Sequence, residues 1–259
     1  MTGGGVTGVI LAAGKGARLN GGHDTPKCLV QLAGETLLAR NVRLLRQAGI
    51  EDVVVVVGCA ADVVRRSCPQ VSFVHNPIYG RTNSLYSLWL ARTHLTGGMV
   101  VMNCDVVIDP QLLSDLLTAK YDDALLVDHG DEHTTYGDEE MKVRVRRGRV
   151  IDISKSMACD DADGENVGVG KFSADGARVL IQEMDALVKA GELQAWAPRA
   201  FARFAIRRPL HVVATRGLPW IEIDFPEDYV RARDVVLPQI EDAGRVCAGV
   251  NEPRIARTA

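Results

Sequence analysis

An apolar run that ends in small residues and glycines, near the start of the chain, most constrains how this chain can fold. Residues 9–19 read VILAAGKGARL, and Lys27 follows shortly afterwards. The apolar run is typical of a buried parallel strand, and the glycines let the backbone turn sharply and approach a ligand closely. Backbone N–H groups in such a turn bind phosphate oxygens, and Arg18 and Lys27 would add full positive charge. The stretch therefore predicts a phosphate-binding turn after the first strand.

The spacing of the glycines excludes two common phosphate-binding motifs. Residue 19 is Leu and no third Gly follows in register, which excludes G-x-G-x-x-G, and no G-K-[ST] follows four spacer residues as a Walker loop requires. The stretch instead resembles the signature of the nucleotidyltransferases that join an NTP to a phosphorylated small molecule, L-A-A-G-x-G-x-R followed by P-K-x-L. Every fixed position of that pattern is present: Leu11, Ala12, Ala13, Gly14, Gly16, Arg18, Pro26, Lys27 and Leu29.

Strand-like and helical patterns alternate through the first half of the chain. Residues 36–48 place apolar side chains at helical spacing, residues 53–57 are consecutive valines, and residues 60–67 and 71–74 continue as helix and strand. This order implies right-handed crossovers and a doubly wound sheet. The resemblance likewise implies an α/β fold, Rossmann-like and doubly wound, with a mixed, mostly parallel sheet. It also implies helices on both faces and a small antiparallel hairpin lobe over the acceptor site.

Composition favours a globular protein with a substantial core. The 259 residues, 47% of them hydrophobic, suit one domain at 1–235, with a hairpin lobe at about 124–172, followed by a C-terminal helix or loose tail at 236–259. A net charge of -3 argues against a nucleic-acid-binding surface. Scattered cysteines without a C-x-x-C pair fit a reducing cytoplasm. No signal peptide or membrane-spanning stretch is evident.

Asn83 and Ser84 stand between a loop and a predicted helix, in the stretch N-P-I-Y-G-R-T-N-S-L. Residues of these types commonly cap helices, and that role alone would explain them. The family carries a similar stretch, N-x-x-x-S/N-N-x-x-S-L, and the resemblance implies that Asn83 and Ser84 contact the base or ribose of a nucleotide.

Asp105 stands toward the end of a strand-like run at residues 99–107. In open α/β sheets, ligands bind beyond the carboxyl ends of the strands, and a carboxylate placed there is a natural ligand for Mg²⁺. The alternative is a turn-forming or helix-capping aspartate, but Asp109, just before Pro110, is a better candidate for that role. The family carries a metal-binding Asp at the position of Asp105.

Glu222 and Asp224 form a second acidic group in the stretch W-I-E-I-D-F-P-E-D. Strand alternation would place both carboxylates on one face, where they repel each other unless a cation lies between them. A solvent-facing strand edge is the alternative. The stretch resembles the second metal motif of the family, which implies that Asp224 is a metal ligand and Glu222 a co-ligand.

The acceptor side is predicted on a hairpin at residues 138–154, with Gly148 at its turn. Lys142 and Lys155 are either solvated strand residues or, as the M-K-V hairpin of the smaller family members implies, contacts of the acceptor phosphate. Glu165 and Asn166 either hydrogen-bond the acceptor or form a turn. Trp196 is an acceptor candidate that would serve equally well as a core or edge aromatic.

The resemblance implies attack by an acceptor oxygen on the α-phosphorus of an NTP, with Arg18 and Lys27 as catalytic residues and Mg²⁺ as cofactor. Nucleotide-binding residues would be Leu11, Ala12, Ala13, Gly14, Lys15, Gly16, Asn83, Ser84 and Asp105. The compact cytidylyltransferases are the most similar group, so CTP and a small phosphorylated or phosphonylated alcohol or amine are the expected substrates. Acidic residues such as Glu139 offer counter-charges for an amine.

Other functions stay open at this stage. One is a sugar- or cyclitol-1-phosphate nucleotidyltransferase that uses UTP, GTP or dTTP, and another is a relative that binds a nucleotide without turning it over. A glycosyltransferase would usually carry D-x-D, whereas this chain has Asn103-Cys104-Asp105. Neither nucleic acid nor membrane is expected as a partner, and a homodimer is left open.

Overall fold

The structure is a computed structural model that describes residues 5–16, 18–19, 26–131, 134 and 136–242. The predicted C-terminal helix or tail at 236–259 is helical over residues 237–242, and the rest of it lies outside the described residues. The domain limits at 235 and 236 stay predictions. No helix within the described ranges is long and apolar enough to cross a membrane.

The strands follow the predicted alternation and extend it. They are β1 (Thr7–Ala12), β2 (Gln31–Leu32), β3 (Glu35–Thr36), β4 (Val53–Val57), β5 (Ser72–His75), β6 (Met99–Asn103), β7 (Val106–Ile108), β8 (Ala124–Asp128), β9 (Lys142–Arg146), β10 (Arg149–Ser154), β11 (Gly164–Phe172), β12 (His211–Ala214) and β13 (Trp220–Glu222). The helices are α1 (Leu37–Gln47), α2 (Ala61–Ser67), α3 (Ser84–Leu90), α4 (Pro110–Thr118), α5 (Ala174–Lys189), α6 (Ala197–Arg207) and α7 (Pro226–Arg231).

Nine strands form one mixed sheet in the order β5-β4-β1-β6-β11-β8-β12-β10-β9. The first four are parallel, β11 is antiparallel to both β6 and β8, and β12 is parallel to β8. The β9–β10 hairpin, which turns at Gly148 as predicted, completes the sheet and also pairs with the start of β11. The predicted mixed α/β sheet with an antiparallel hairpin is confirmed.

Helices cover both faces of this sheet, because its central strands are apolar on both sides. In β1, Val9 and Leu11 pack toward α3, α5 and α6, whereas Ile10 and Ala12 pack toward α1, α2 and α4. A strand buried on both faces reads as a continuous apolar run, which is the pattern of β1 and β4. The two cores hold the carboxyl ends of β1 and β6 at one edge of the sheet.

Two predicted strand runs end earlier in the structure than the sequence suggested. The run from residue 99 to 107 breaks at Cys104 and Asp105 into β6 and β7, so Asp105 lies in a turn. The prediction that Glu222 and Asp224 share one strand is wrong, because β13 ends at Glu222 and Asp224 lies in the connection to α7.

Candidate active site

A cavity of about 180 Å³ opens at the carboxyl ends of β1 and β6. Its wall includes most residues that the sequence singled out: Leu11, Ala13, Gly14, Gly16, Arg18, Lys27, Asn83, Ser84, Asp105, Lys155, Asn166, Trp196, Glu222 and Asp224. The location agrees with the rule that open α/β sheets bind ligands beyond the carboxyl ends of their strands. The structure therefore brings together segments from the beginning, middle and end of the chain.

Lys27 lies at the centre of this wall. Its Nζ donates hydrogen bonds to Asp105 Oδ2 at 2.7 Å and to Asp224 Oδ1 at 2.5 Å. The side chain of Lys27 is only 9% exposed, so this ammonium group is largely removed from water. The two aspartates that the resemblance implies as metal ligands therefore lie close together, with the Lys27 ammonium group between them.

The electrostatics of the cluster follow from burial and close opposite charges. Burial opposes the charged form of Lys27, but the carboxylates of Asp105 and Asp224 outweigh it and raise the pKa of Lys27 above its usual value. Burial would raise the pKa of Asp224, yet Lys27 and then Arg18 lower it. Burial and the charges of Asp105 and Asp224 raise the pKa of Glu222 to about 8. The cluster thus concentrates three acids around one ammonium group.

The Gly-rich turn packs directly on the lysine, which explains one of its glycines. Gly16 has a φ of 64°, and a Cβ at that position would lie 2.5 Å from the Cβ of Lys27. Only glycine combines a left-handed backbone with such a close approach. Lys27 itself begins a short 3-10 turn after Pro26. Gly16 and Lys27 therefore form a single packed unit, although ten residues separate them in the sequence.

Arg18 links the Gly-rich turn to the hairpin lobe. Its guanidinium donates to Glu139 at 2.8 Å, approaches Asp224 Oδ2 at 3.1 Å and stacks 4.7 Å from the ring centre of Phe225. Glu139 also lies 3.5 Å from Lys155 Nζ. Sequence reasoning named Glu139 only as one of several counter-charges, because nothing local in the sequence places it opposite Arg18.

Lys155 and Trp196, both predicted to lie on the acceptor side, line one wall of the cavity. Lys155 Nζ lies 5.0 Å from the ring centre of Trp196, and Trp196 is 44% exposed just before α6 begins. Asn166, on β11, is buried, and its Oδ1 has no hydrogen-bond partner among the described residues. Lys155, Asn166 and Trp196 thus line the same cavity, and Asn166 Oδ1 is free to accept a hydrogen bond.

Asn83 and Ser84 have structural roles as well as a place in the wall. The side chain of Asn83 accepts a hydrogen bond from the Ser84 backbone N–H at 2.8 Å, which caps α3. Ser84 Oγ accepts from the Ala197 backbone N–H at 2.8 Å and so ties α3 to the start of α6. The capping role is therefore present, and contact with a nucleotide stays a prediction.

Four predicted residues do not reach the cavity wall: Ala12, Lys15, Lys142 and Glu165. Lys142 is fully buried, and its Nζ donates to the Gly137 carbonyl at 2.5 Å. Glu165 is paired across the strands with Lys142, and burial, with the charges of Glu140 and Asp128, raises its pKa to about 7. Lys142 and Glu165 therefore support the hairpin lobe from behind the wall.

Two supporting residues escaped sequence analysis. Asn41, 1% exposed on α1, donates from Nδ2 to the carbonyl of Cys104 at 3.2 Å and so holds the turn that carries Asp105. Asp228 accepts hydrogen bonds from the backbone N–H groups of Asp224, at 2.9 Å, and Phe225, at 2.8 Å. A polar residue on the apolar face of α1, and an acid in the first turn of α7, were the available signals.

The acidic residues suit a magnesium ion. Among the described residues, no group of three or more His, Cys, Asp or Glu side chains has the spacing of a complete metal cage. Mg²⁺ does not need one, since it commonly binds one or two carboxylates together with water and substrate phosphates. Asp105 Oδ1 is buried and has no hydrogen-bond partner within the described part of the chain, so it has a free lone pair for a cation. The pair Asp105 and Asp224 therefore fits the ion, beside Glu222.

Two curated relatives are similar to nearly the whole of this chain. The bifunctional IPC transferase and DIPP synthase of Rubrobacter xylanophilus is 32% identical over 238 residues, which cover 90% of this chain and 52% of that protein. The chain thus spans about half the length of this relative. The choline-phosphate cytidylyltransferase of Streptococcus pneumoniae is 25% identical over 238 residues, covering 88% of this chain and 97% of that protein.

A solved structure shares the fold. The inositol-1-phosphate CTP transferase from T. maritima superposes with a TM-score of 0.74 at 19% identity, covering 93% of this chain and 98% of that chain. At this identity the likeness establishes the Rossmann-like nucleotidyltransferase fold alone. Residues 8–217 match the MobA-like NTP transferase domain, which spans the Gly-rich turn, Lys27 and Asp105, and the chain therefore belongs to this family of NTP transferases.

Proposed function

We propose that this chain transfers the cytidylyl group of CTP to a small phosphorylated or phosphonylated alcohol or amine and releases pyrophosphate. One observation carries the proposal: the buried ammonium group of Lys27, held between Asp105 and Asp224 on the wall of a cavity that begins at the Gly-rich turn. Buried charges cost free energy unless they are paired, so their concentration beside a phosphate-binding turn is typical of phosphoryl-group chemistry.

The reaction requires positioning and charge stabilisation more than covalent participation by the protein. An oxygen of the acceptor phosphate attacks the α-phosphorus of CTP and forms a new P–O bond. The bond from the α-phosphorus to the bridging oxygen breaks, and its electron pair leaves with pyrophosphate. The attacking oxygen is already ionised near neutral pH, because the second pKa of a phosphate ester is about 6, so no general base is required.

The residues of the nucleotide side have separate roles in this proposal. The backbone N–H groups of residues 14–16 and the guanidinium of Arg18 bind the β- and γ-phosphates and stabilise the leaving pyrophosphate. When the substrates bind, Lys27 exchanges part of its hydrogen bonding to Asp105 and Asp224 for contacts with the α-phosphate and the attacking oxygen. Asp105 and Asp224, with Glu222 beside them, hold Mg²⁺, which when bound neutralises charge on the phosphate oxygens.

The acceptor side is proposed to consist of Lys155, Asn166 and Trp196. Lys155 supplies a point charge for the acceptor phosphate or phosphonate, and the free Oδ1 of Asn166 accepts a hydrogen bond from an alcohol or amine. The face of Trp196 suits a cationic or apolar end of the acceptor. The name of the S. pneumoniae relative, a choline-phosphate cytidylyltransferase, supports an acceptor of this kind.

A cyclitol phosphate is the second candidate acceptor. It is favoured by one structural observation, the polar character of Asn166 and Glu139 beside Trp196, because hydroxyl groups need hydrogen-bonding partners that a quaternary ammonium does not. This candidate keeps the same nucleotide site and the same chemistry, and differs only in what the acceptor-side wall binds.

A pyrophosphate-release screen tests the proposal. The four NTPs are each combined with phosphocholine, 2-aminoethylphosphonate, inositol phosphate and sugar-1-phosphates in the presence of Mg²⁺. We expect release with CTP and one of the first three acceptors, and dependence on both substrates. Release with UTP, GTP or dTTP and a sugar-1-phosphate would replace the cytidylyl proposal, and nucleotide binding without release would indicate a non-catalytic relative.

A further inference from the structure

A second concave surface, here called the basic groove, lies away from the candidate active site. It has a volume of about 560 Å³ and runs between the β9–β10 turn and the end of α6. Five arginines line it: Arg146, Arg147, Arg149, Arg207 and Arg208. This concentration of positive charge at one place contrasts with the net charge of -3 of the whole chain.

Three of these arginines keep their charge uncompensated. Arg207 is paired with Glu183 at 2.8 Å, and Arg208 is paired with Asp123 at 2.5 Å. Arg146, Arg147 and Arg149 have no acidic partner among the described residues. The basic groove therefore presents three free guanidinium groups beside two that are already neutralised.

The backbone geometry of the β9–β10 turn does not favour arginine. Arg147 has a φ of 51° and Gly148 a φ of 72°, so both central residues of the turn are left-handed. Such turns favour Asn-Gly, because a longer L side chain is strained in this conformation. Arginine at position 147 therefore points to a use for the side chain itself, outside the turn.

The walls of the basic groove add apolar surface to this charge. Ile206 is 82% exposed and Ile151 is 46% exposed, and both line the groove. Guanidinium forks match phosphate oxygens in two-point hydrogen bonds, and apolar side chains beside them suit the carbon part of a phosphate ester. We propose that the basic groove binds a phosphate group, carried either by a soluble ester or by a phospholipid headgroup.

The basic groove is separate from the candidate nucleotide site. Helix α6 begins beside the cavity, at Trp196 and Pro198, and ends at the groove with Arg207. Its eleven residues span about 16 Å at 1.5 Å per residue. Phosphate bound in the groove is therefore distinguishable from phosphate bound by the Gly-rich turn, and the proposal does not depend on the proposed function.

The test compares four variants of the chain with the wild type: a groove variant, a control variant, Lys27→Ala and Ile206→Ser. The groove variant is R146Q/R147N/R149Q, in which asparagine suits the left-handed position. The control variant, R66Q/R178Q/R231Q, loses the same charge at exposed sites elsewhere, and Lys27→Ala removes the central cation of the nucleotide site. Binding of inorganic phosphate and pyrophosphate is measured by equilibrium dialysis. Binding to phosphatidylcholine vesicles with and without phosphatidic acid is measured by sedimentation.

We expect the groove variant to lose about tenfold or more in affinity for one of these probes, while the control variant retains that binding. Lys27→Ala should lose only the phosphate or pyrophosphate bound at the nucleotide site, so binding to the basic groove remains in this variant. A loss with soluble phosphate assigns a soluble ester. A loss confined to vesicles, shared by Ile206→Ser, assigns a lipid headgroup. Binding of every probe that is unchanged in the groove variant, or reduced equally in the control variant, would overturn the proposal.

Discussion

The nucleotide side and the hairpin lobe of this molecule are built in different ways. On the nucleotide side, Gly16 packs on Lys27, and both belong to one short stretch of sequence that ends a buried strand. Lys155 and Asn166 of the hairpin lobe and Trp196, just before α6, come from three separated segments and meet only through the fold. The Gly-rich turn and Lys27 are therefore encoded within one stretch of sequence, whereas the two aspartates that reach Lys27 and the proposed acceptor side are assembled over long range.

The largest expected effect is on the nucleotide side. Lys27→Ala and Asp224→Ala should each lower kcat by about 100-fold or more, because each removes a group that stabilises charge in the transition state. Pyrophosphate release under saturating substrates measures this effect. Lys189→Ala, which removes an exposed lysine at the end of α5, is the matched control and should leave the rate unchanged. Near-normal turnover in both site variants would refute the assignment.

Glu165, which lies behind the cavity wall, should make the free energy of unfolding depend on pH. Its pKa of about 7 in the folded protein lies above the ordinary value of 4.5, so the folded state binds the proton more tightly than the unfolded state. This contribution is fully present below the unfolded pKa and is lost as the pH rises through about 7. Glu165→Gln should therefore gain about 3 kcal/mol in unfolding free energy over the wild type at pH 8, and little at pH 4.

Urea unfolding of the wild type and Glu165→Gln at the two pH values measures this difference. Glu227→Gln, at an exposed position in α7, is the control and should follow the wild type at both. A stability difference between Glu165→Gln and the wild type that stays constant with pH would contradict the assigned pKa.

Trp196 sharpens the contrast between the two regions. Trp196→Ala should raise KM for the acceptor by about tenfold, the scale of a lost cation–π or stacking contact, while KM for CTP stays near its original value. Steady-state kinetics with each substrate varied in turn separates the two constants. Trp89→Ala is the control, because Trp89 lies on α3 outside the cavity wall, and it should leave both KM values unchanged. Equal increases in both KM values would show that the acceptor side is not distinct.

The smallest expected effect concerns the support of Asp224. Asp228→Ala removes the acceptor of two backbone hydrogen bonds and should cost about 1 kcal/mol of unfolding free energy, as loss of a helix cap does. Since the hydrogen bonds also fix the backbone at Asp224, the Mg²⁺ concentration for half-maximal activity should rise, and Asp228→Asn should restore part of the loss. A loss of stability in Asp228→Ala without a change in the Mg²⁺ concentration for half-maximal activity would show that Asp228 only caps α7.

The sequence anticipated the features that depend on local physics. The consecutive valines form β4, the residues with apolar spacing after Thr36 form α1, and Gly148 lies at the turn of the β9–β10 hairpin, as predicted. Asp105 was predicted as a metal ligand from its place at a strand end and Asp224 from its resemblance to a metal motif, and the structure brings both to Lys27. These elements need only a few neighbouring residues to be specified.

The features that sequence analysis missed depend on contacts between distant segments. Lys142 was predicted at the acceptor, but its aliphatic stem is buried and its ammonium is satisfied by the Gly137 carbonyl. Asn41 is remote from Asp105 in sequence, and nothing local shows that it holds the turn at Cys104. The direction in which a strand residue points, and the partner it finds, are set by the whole sheet.

The proposed transfer is followed directly by ³¹P NMR of the wild-type protein with CTP, Mg²⁺ and each acceptor of the screen in turn. The account predicts that CTP signals fall while free pyrophosphate and a new P–O–P linkage between CMP and the acceptor appear in equal amounts, and that Lys27→Ala slows both together. Intact CTP with every acceptor, or pyrophosphate that forms at the same rate in Lys27→Ala, would contradict the account.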